Sequence, residues 1–391
     1  MTQKMVRTRN TWVAYILLAL YAYFLNIPGP ITPFLRDEFN LSYTASSLHF
    51  SAFAAGILVI GLSGQVMIHR IGRQKALSIG ALGLASGAVL LVLGRSPVLT
   101  IGGIFIMGLV GSLILAVVPA FLSDEHGELS AVAISEANML SSLISMVAPL
   151  LVGWFVRLLV GWRPALILAA LPVLVIGVLL FIGEDKSEAP LVSAAAVHRL
   201  PLLFWFLWVA LVFAVSIEFC MIYWSADYLV QEFDLSSAAA AQSVSLFLAG
   251  MILGRWLSSR LLRSLSAQKI IFISIFTGIA GFLLYWNTDH SWLALTGLAL
   301  TGLGVASFYP LTLSLAIGSA DGNEAQAGAR ASLASGVAIM FLPLLLGRFA
   351  DSAGLKSAFV LVAVLFGSFF LMMLLSRHIR CGSQAFQDQV E

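Results

Sequence analysis

Glu218 is a carboxylate inside an apolar run, residues 202–229, that is long enough to cross a bilayer. It stands about sixteen residues into that run, or about 24 Å along a helix rising 1.5 Å per residue. An ionisable group at that depth is costly and is retained for a reason. It either takes up and releases a proton through water in a cavity, or makes a structural hydrogen bond to a neighbouring helix. Beside it, Tyr223 and Trp224 offer rings that can stack on a solute, and Tyr309 does the same ahead of Pro310. Tyr21 and Asn26 lie in a run that meets Pro28-Gly29-Pro30. Two prolines around a glycine break a helix, which suits a moving segment or a helix end. Asn138, Ser141, Ser142 and Ser145 share one helical face, and that face meets either a cavity or another helix. Glu218, Asn26, Tyr21, Tyr223, Trp224, Asn138 and Tyr309 are therefore the candidate substrate- or proton-binding residues.

Charges near the ends of apolar runs are candidate gates. Glu136 and Arg330 lie at one end, and Asp227 and Arg348 lie at the other. Each pair either makes a closing salt bridge or does not gate: Glu136 and Arg330 as solvated helix ends, Asp227 and Arg348 as side chains snorkelling to an interface. Arg70, Gly72 and Arg73 fall in a basic turn that either anchors two helices against anionic headgroups or gates. His49, alone in its run, reads as a packed, hydrogen-bonded residue more readily than as a proton relay. Asp124-Glu125-His126-Gly127-Glu128 are adjacent, without ligand spacing, so no metal is expected. No phosphate-binding Gly-Lys-Ser loop, catalytic triad or Cys-x-x-Cys pattern appears, so neither a cofactor nor ATP is expected. Cys220 falls within a span and Cys381 in the tail, so the two cannot pair.

The elements that position these residues follow from composition. The 391 residues are 60% hydrophobic and 10% charged, with a mean hydropathy of +0.98. A soluble domain carries roughly a quarter charged residues. A water-soluble enzyme, a nucleic-acid binder and a secreted disulfide scaffold are excluded. Uninterrupted runs of about 20 apolar residues are helices, since barrel strands would alternate over about 10. Spans are predicted near 11–35, 44–68, 76–94, 98–122, 131–156 and 164–183, then 202–229, 238–257, 269–286, 292–317, 326–349 and 357–376. The fold class is an all-α polytopic membrane protein of twelve transmembrane helices. With the N-terminus inside, fifteen Lys and Arg face the cytoplasm, Arg255 among its loop cations, and six face out. Both termini are therefore expected in the cytoplasm, and no Arg or Lys is expected at mid-depth.

The chain repeats itself. Phe34-Leu35-Arg36-Asp37-Glu38-Phe39 aligns with Tyr228-Leu229-Val230-Gln231-Glu232-Phe233 at an offset of 194. Phe53-Ala54-Ala55-Gly56 aligns with Phe247-Leu248-Ala249-Gly250, and Pro149-Leu150-Leu151-Val152-Gly153 with Pro343-Leu344-Leu345-Leu346-Gly347, at the same offset. Gly161 and Gly354 open a further match at 193, and Gly111 and Pro119 meet Gly302 and Pro310 at 191. Matches in chain order with so little drift indicate two pseudo-symmetric six-helix bundles. The expected domains are 1–183 and 201–391, joined by a charged, proline-containing cytoplasmic linker over 184–200.

A twelve-helix chain of two parallel halves resembles the major facilitator superfamily. The family's loop after span two reads Gly, three residues, Asp, Arg or Lys, any residue, Gly, Arg, then Arg or Lys. Arg70, Gly72 and Arg73 match it, while Gln65 replaces the first Gly and His69 the Asp. Glu218 with Trp224 and Tyr228 is loosely similar to the fucose-permease and sugar-symporter branches, without their carboxylates in spans one and four. The resemblance implies a secondary transporter in the inner or plasma membrane, acting as a monomer by alternating access about a cavity lined by spans one, four, seven and ten. Its partners are then a small organic solute, a coupling proton bound at Glu218 and the lipid bilayer, with no nucleic acid. An exporter of amphipathic compounds and a non-transporting solute sensor of the same fold stay open. A membrane-embedded enzyme would need a catalytic cluster that is not found.

Overall fold

The computed structural model describes residues 6–183, 200–320 and 323–387. Of the expected linker only Leu200 falls within them, and the side chain of Cys381 lies outside what is described. Among the described residues all regular structure is helical. Eleven stretches are long and apolar enough to cross a membrane. One of them, Pro97–Arg157, has 61 residues. As a single helix it would measure about 90 Å, three times a hydrocarbon core. It is in fact two helices, α5 (Pro97–His126) and α6 (Ser130–Arg157), separated by a tight turn in which Gly127 takes a φ of 51°. Among the described residues the candidate crossings therefore number twelve.

The first crossing is α1 (Arg9–Asn26) followed by α2 (Pro28–Phe39). Pro28 and Pro30 bring no N–H, so the backbone ladder is interrupted after Asn26 and restarts with Pro at the first helical position. Then come α3 (Tyr43–Ile71), α4 (Arg73–Leu93), and, after α5 and α6, α7 (Arg163–Ile182). Gly72 separates α3 from α4 at φ 83°, a conformation that an L side chain resists, which explains glycine in that basic turn. The remaining crossings are α8 (Leu202–Phe233), α9 (Ser237–Leu261), α10 (Ala267–Asn287), α11 (Ser291–Val305) with α12 (Phe308–Ile317), α13 (Glu324–Ala353), and α14 (Leu355–Ala358) with α15 (Val360–Gln387). The tenth crossing, like the first, is thus interrupted in mid-course.

The chain forms two compact units, one holding 1–192 with 222–248, the other 193–221 with 249–391. In the first, α5 packs on α3 and α4, α1 on α6, and α7 on α4. Helices in lipid gain little from hydrophobic burial against one another, so they associate through close backbone approach at small residues. Gly56 of α3 and Gly108 of α5 show this: a Cβ on Gly56 would stand 2.1 Å from the Leu109 nitrogen, and one on Gly108 would stand 2.2 Å from the Phe53 carbonyl oxygen. In the second unit α10 packs on α11 and α15, and α12 on α13. Gly250, the duplicate of Gly56, makes the corresponding approach of α9 to α11, where its Cβ would meet the Ala299 carbonyl at 2.2 Å. Large apolar side chains such as Leu62, Ile182 and Leu202 stand exposed. Such a surface is suited to lipid and not to water.

Candidate functional site

In the second unit, four helices bring polar side chains together around Glu218. The residue lies halfway along the 32-residue α8. The Nη2 of Arg255 comes 3.9 Å from its Oε1. The hydroxyl of Tyr309, at the start of α12, hydrogen-bonds Ser335 of α13 and lies within electrostatic reach of the Glu218 carboxylate. Tyr309 stands two residues past the break in the tenth crossing. An interrupted helix of this kind is where irregular backbone is tolerated at depth, at the wall of a binding site. The Glu218 side chain is 15% exposed and that of Arg255 42%. The sequence placed Arg255 among loop cations, whereas it lies within α9. The α9 helix runs on to Leu261, so Arg255 is a helical residue whose long side chain reaches back toward Glu218. On α12, Thr312 is fully buried and its hydroxyl has no hydrogen-bond partner among the described residues.

In the first unit the remaining candidates are held in packing. Tyr21 shares a hydrogen bond of 3.1 Å with Ser112, and its ring lies 5.9 Å from that of Phe53. Asn26 closes α1, donating to the Ala22 carbonyl at 2.8 Å and to Ser145 Oγ at 3.3 Å. The polar stripe of α6 divides. Ser141 and Ser145 are buried and donate to carbonyls one turn earlier, while Asn138 is exposed. His49 is buried and satisfied by Ser46 and Thr100. It packs as the sequence suggested.

At the end of the helices where α2 finishes, Arg36 Nη1 meets both carboxylate oxygens of Asp227, at 2.6 and 2.8 Å. The sequence paired Asp227 with Arg348; the carboxylate is engaged by Arg36, and Arg348 is exposed. The Arg36 guanidinium lies 3.8 Å from the Tyr43 ring centre, and Tyr43 packs on Trp224 at 5.8 Å. Phe50 stacks on Tyr223 at 4.1 Å and meets Trp224 edge-on at 5.5 Å. The Tyr223 hydroxyl donates to the Leu25 carbonyl. Tyr223 and Trp224 are thus fully buried against aromatic neighbours.

At the opposite end, where α1 begins, the N-terminal segment is fastened to the α5–α6 turn. Arg7 grips Glu136 through Nε at 2.8 Å and Nη2 at 2.5 Å, and Tyr15 adds a bond to the same carboxylate at 3.1 Å. Its hydrogen bonds to the Glu136 carboxylate hold the Arg7 guanidinium above its ordinary pKa. Thr8 donates to Glu125, and Thr11 pairs with His126. Arg73 forms an ion pair with Asp124, while Arg70 is exposed. Glu136, read from the sequence as a partner of Arg330, is therefore engaged by Arg7. In the second unit Arg330 is exposed, and its backbone carbonyl accepts from Trp208 at 2.9 Å. Arg7 and Arg36 were missed as partners because pairings across more than 100 residues leave no local pattern. Among the described residues no three His, Cys, Asp or Glu side chains gather as a metal site.

The family model for the Major Facilitator Superfamily matches residues 14–288 and 228–382. The chain is 21% identical over 323 residues to a protein named TsgA homolog from Yersinia pestis (strain Pestoides F), covering 80% of each chain. Its structure is similar to that of a D-xylose-proton symporter, with a TM-score of 0.75 and 15% identity, covering 93% of this chain and 96% of that one. It is also similar to the E. coli fucose:proton symporter, with a TM-score of 0.62 and 17% identity over 94% and 98% of the two chains. At these identities the structural likeness is one of fold.

Proposed function

Because this chain belongs to the Major Facilitator Superfamily, we propose that it moves a small organic solute by alternating access in symport with a proton carried on Glu218. The chain is a multi-pass membrane transporter and not an enzyme. The observation that carries the finer reading is the meeting of Glu218, Arg255 and Tyr309 halfway along α8 and beside the break between α11 and α12. A carboxylate kept at that depth needs a task. Here it has a cation and a hydroxyl with which to exchange a proton-dependent contact. Proton symporters of sugars among the structural neighbours support the same reading.

Within this proposal the repeats run over 1–183 and 201–391 with a cytoplasmic linker at 184–200. The protein acts as a monomer in the inner or plasma membrane with both termini inside. Arg36 belongs to the first repeat and Asp227 to the second, so their ion pair serves as the outer gate and must part for that end to open. The Arg73–Asp124 pair and the Arg7–Glu136 grip stiffen the inner end of the first repeat. Tyr21 and Asn26 support the first crossing at its break, and Asn138 offers an exposed amide to solute.

The test is Glu218→Gln in proteoliposomes. The amide keeps the shape and cannot exchange the proton. Accumulation driven by an imposed pH gradient is expected to fall by about tenfold or more, while exchange of labelled for unlabelled solute persists. Accumulation by Glu218→Gln equal to wild type, with an unchanged pH profile, refutes proton coupling at this residue.

A further inference from the structure

From Leu235 to Thr288 the chain carries no Asp or Glu, while Arg260, Arg263 and Lys269 follow one another around the turn from α9 into α10. We propose that this turn binds an anionic phospholipid, with the three cations holding its headgroup phosphate and the exposed faces of the two helices forming a wall for its acyl chains. Neither Glu218 nor Arg255 takes part.

The first ground is the order of residues on the two exposed faces. On α9, Leu253, Trp256 and Arg260 follow at spacings of three and four, so they share a face. On α10, Lys269, Ile273 and Phe276 follow at spacings of four and three and share a face as well. All six side chains are exposed, while Ile270, Ile271 and Ser274 on the other side of α10 are buried. Each exposed face is apolar along the helix and cationic at the end next to the turn, and the two run in mirror order. The turn itself is tight, with the Leu265 N–H bonded back to the Leu261 carbonyl at 2.8 Å, so the two cationic ends stay close. Large apolar side chains exposed in this way suit acyl chains and not water. A tryptophan followed by cations marks the level at which those chains give way to headgroups.

The second ground is charge. Arg260, Arg263 and Lys269 are exposed, and among the described residues none of them makes an ion pair. The Arg260 guanidinium lies 5.0 Å from the centre of the Trp256 ring, which holds it where the apolar wall meets the cations. The corresponding turn of the first unit is different. There Arg73 is paired with Asp124, and Glu125 and Glu128 follow in the chain. Cations of the first unit thus meet carboxylates of the protein itself, whereas those of the α9–α10 turn are left for an anion from outside. A guanidinium matches phosphate oxygens through parallel N–H groups. The headgroup phosphate of an anionic lipid is the anion that a bilayer surface supplies.

The test uses purified full-length protein in an uncharged detergent, titrated with phosphatidylglycerol or phosphatidylcholine and read by native mass spectrometry. Phosphatidylglycerol should be retained about tenfold or more above phosphatidylcholine. Arg260→Gln, Arg263→Gln and Lys269→Gln should each weaken its retention by about fivefold. The triple variant should bring it down to the level of phosphatidylcholine. Arg70→Gln combined with Lys75→Gln, at the turn of the first unit, should change it by less than about twofold. Dibrominated phosphatidylglycerol should quench tryptophan fluorescence less in Trp256→Phe than in wild type. Gel filtration and the unfolding temperature check that the variants fold. Should the triple variant not fold, the lipid preference of wild type and the Trp256→Phe quenching decide. Equal retention of the two lipids, undiminished retention by a folded triple variant, or unchanged quenching in Trp256→Phe overturns the proposal. An equal loss in the Arg70→Gln, Lys75→Gln variant does so too, because it would show a general attraction of surface charge and no site. Inorganic phosphate and glycerol phosphate should leave the lipid in place. Displacement by either would assign the turn to a free phosphate and overturn the lipid.

Discussion

Gly56→Ala is expected to lower the apparent unfolding temperature by about 5 °C, the equivalent of about 3 kcal/mol in a chain of this size. The added Cβ would lie 2.1 Å from the Leu109 nitrogen and 2.4 Å from the Gly108 carbonyl carbon. Both obstacles are backbone, so no rotamer change relieves them, and α3 and α5 must separate. Separation is damaging in lipid, where dispersion contacts at small residues do the work that water does for a soluble core. Gly102→Ala on the same α5 is the control. Its Cβ meets nothing within 4 Å, and the change removes a helix-weakening glycine. Tryptophan-fluorescence melts in one detergent should give a large drop for Gly56→Ala and none for Gly102→Ala. Equal melting points would show that the α3–α5 approach is not what holds the first unit.

Asp227→Ala should cost about 3 kcal/mol, because it leaves the Arg36 guanidinium beside a buried, vacated site. The side chains are 17% and 2% exposed, so water compensates little of the loss. Arg36→Ala should be at least as damaging, since it leaves the Asp227 carboxylate, the more buried partner, without its counter-charge. The double variant should recover most of the stability lost by Asp227→Ala, which separates the pair's coupling from simple loss of contacts. A double variant as unstable as the two single losses added together would show that the side chains contribute independently. In transport the double variant should release solute to the outside faster, because the proposed outer gate no longer carries its short bonds.

Much of the fold was legible because the bilayer imposes one rule on every crossing, an apolar helix of fixed length. The break at Pro28-Gly29-Pro30 and the turn at Gly72 could each be read from residue type, whereas Gly56 and Gly250 showed only as a repeat match and not as points of close approach. The site was less legible. Glu218 was visible as an isolated carboxylate, but its companion was not. Arg255 sits six residues before the end of α9, and a cation that near a helix end reads as a loop anchor. Tyr223 and Trp224 were read as solute-stacking rings, and the structure spends them on Phe50 and Tyr43. Aromatic residues carry no sequence mark that separates a binding wall from a plug. The partner of Asp227 was missed because salt bridges in a bundle are chosen by proximity across helices, which spacing along the chain does not encode.

The grip of Arg7, Thr8 and Thr11 on the α5–α6 turn bears on how the protein is handled at the bench. Reporter proteins, affinity handles and spin labels are usually fused to the amino terminus, immediately before these residues. A bulky fusion there strains a fastening that draws on Glu136, Glu125 and His126 at once. Cleavage between Arg7 and Arg9 removes the Arg7–Glu136 bonds and leaves Thr11 alone to hold His126. Purification handles and fluorescent reporters therefore belong after α15, with the first dozen residues left in their native sequence.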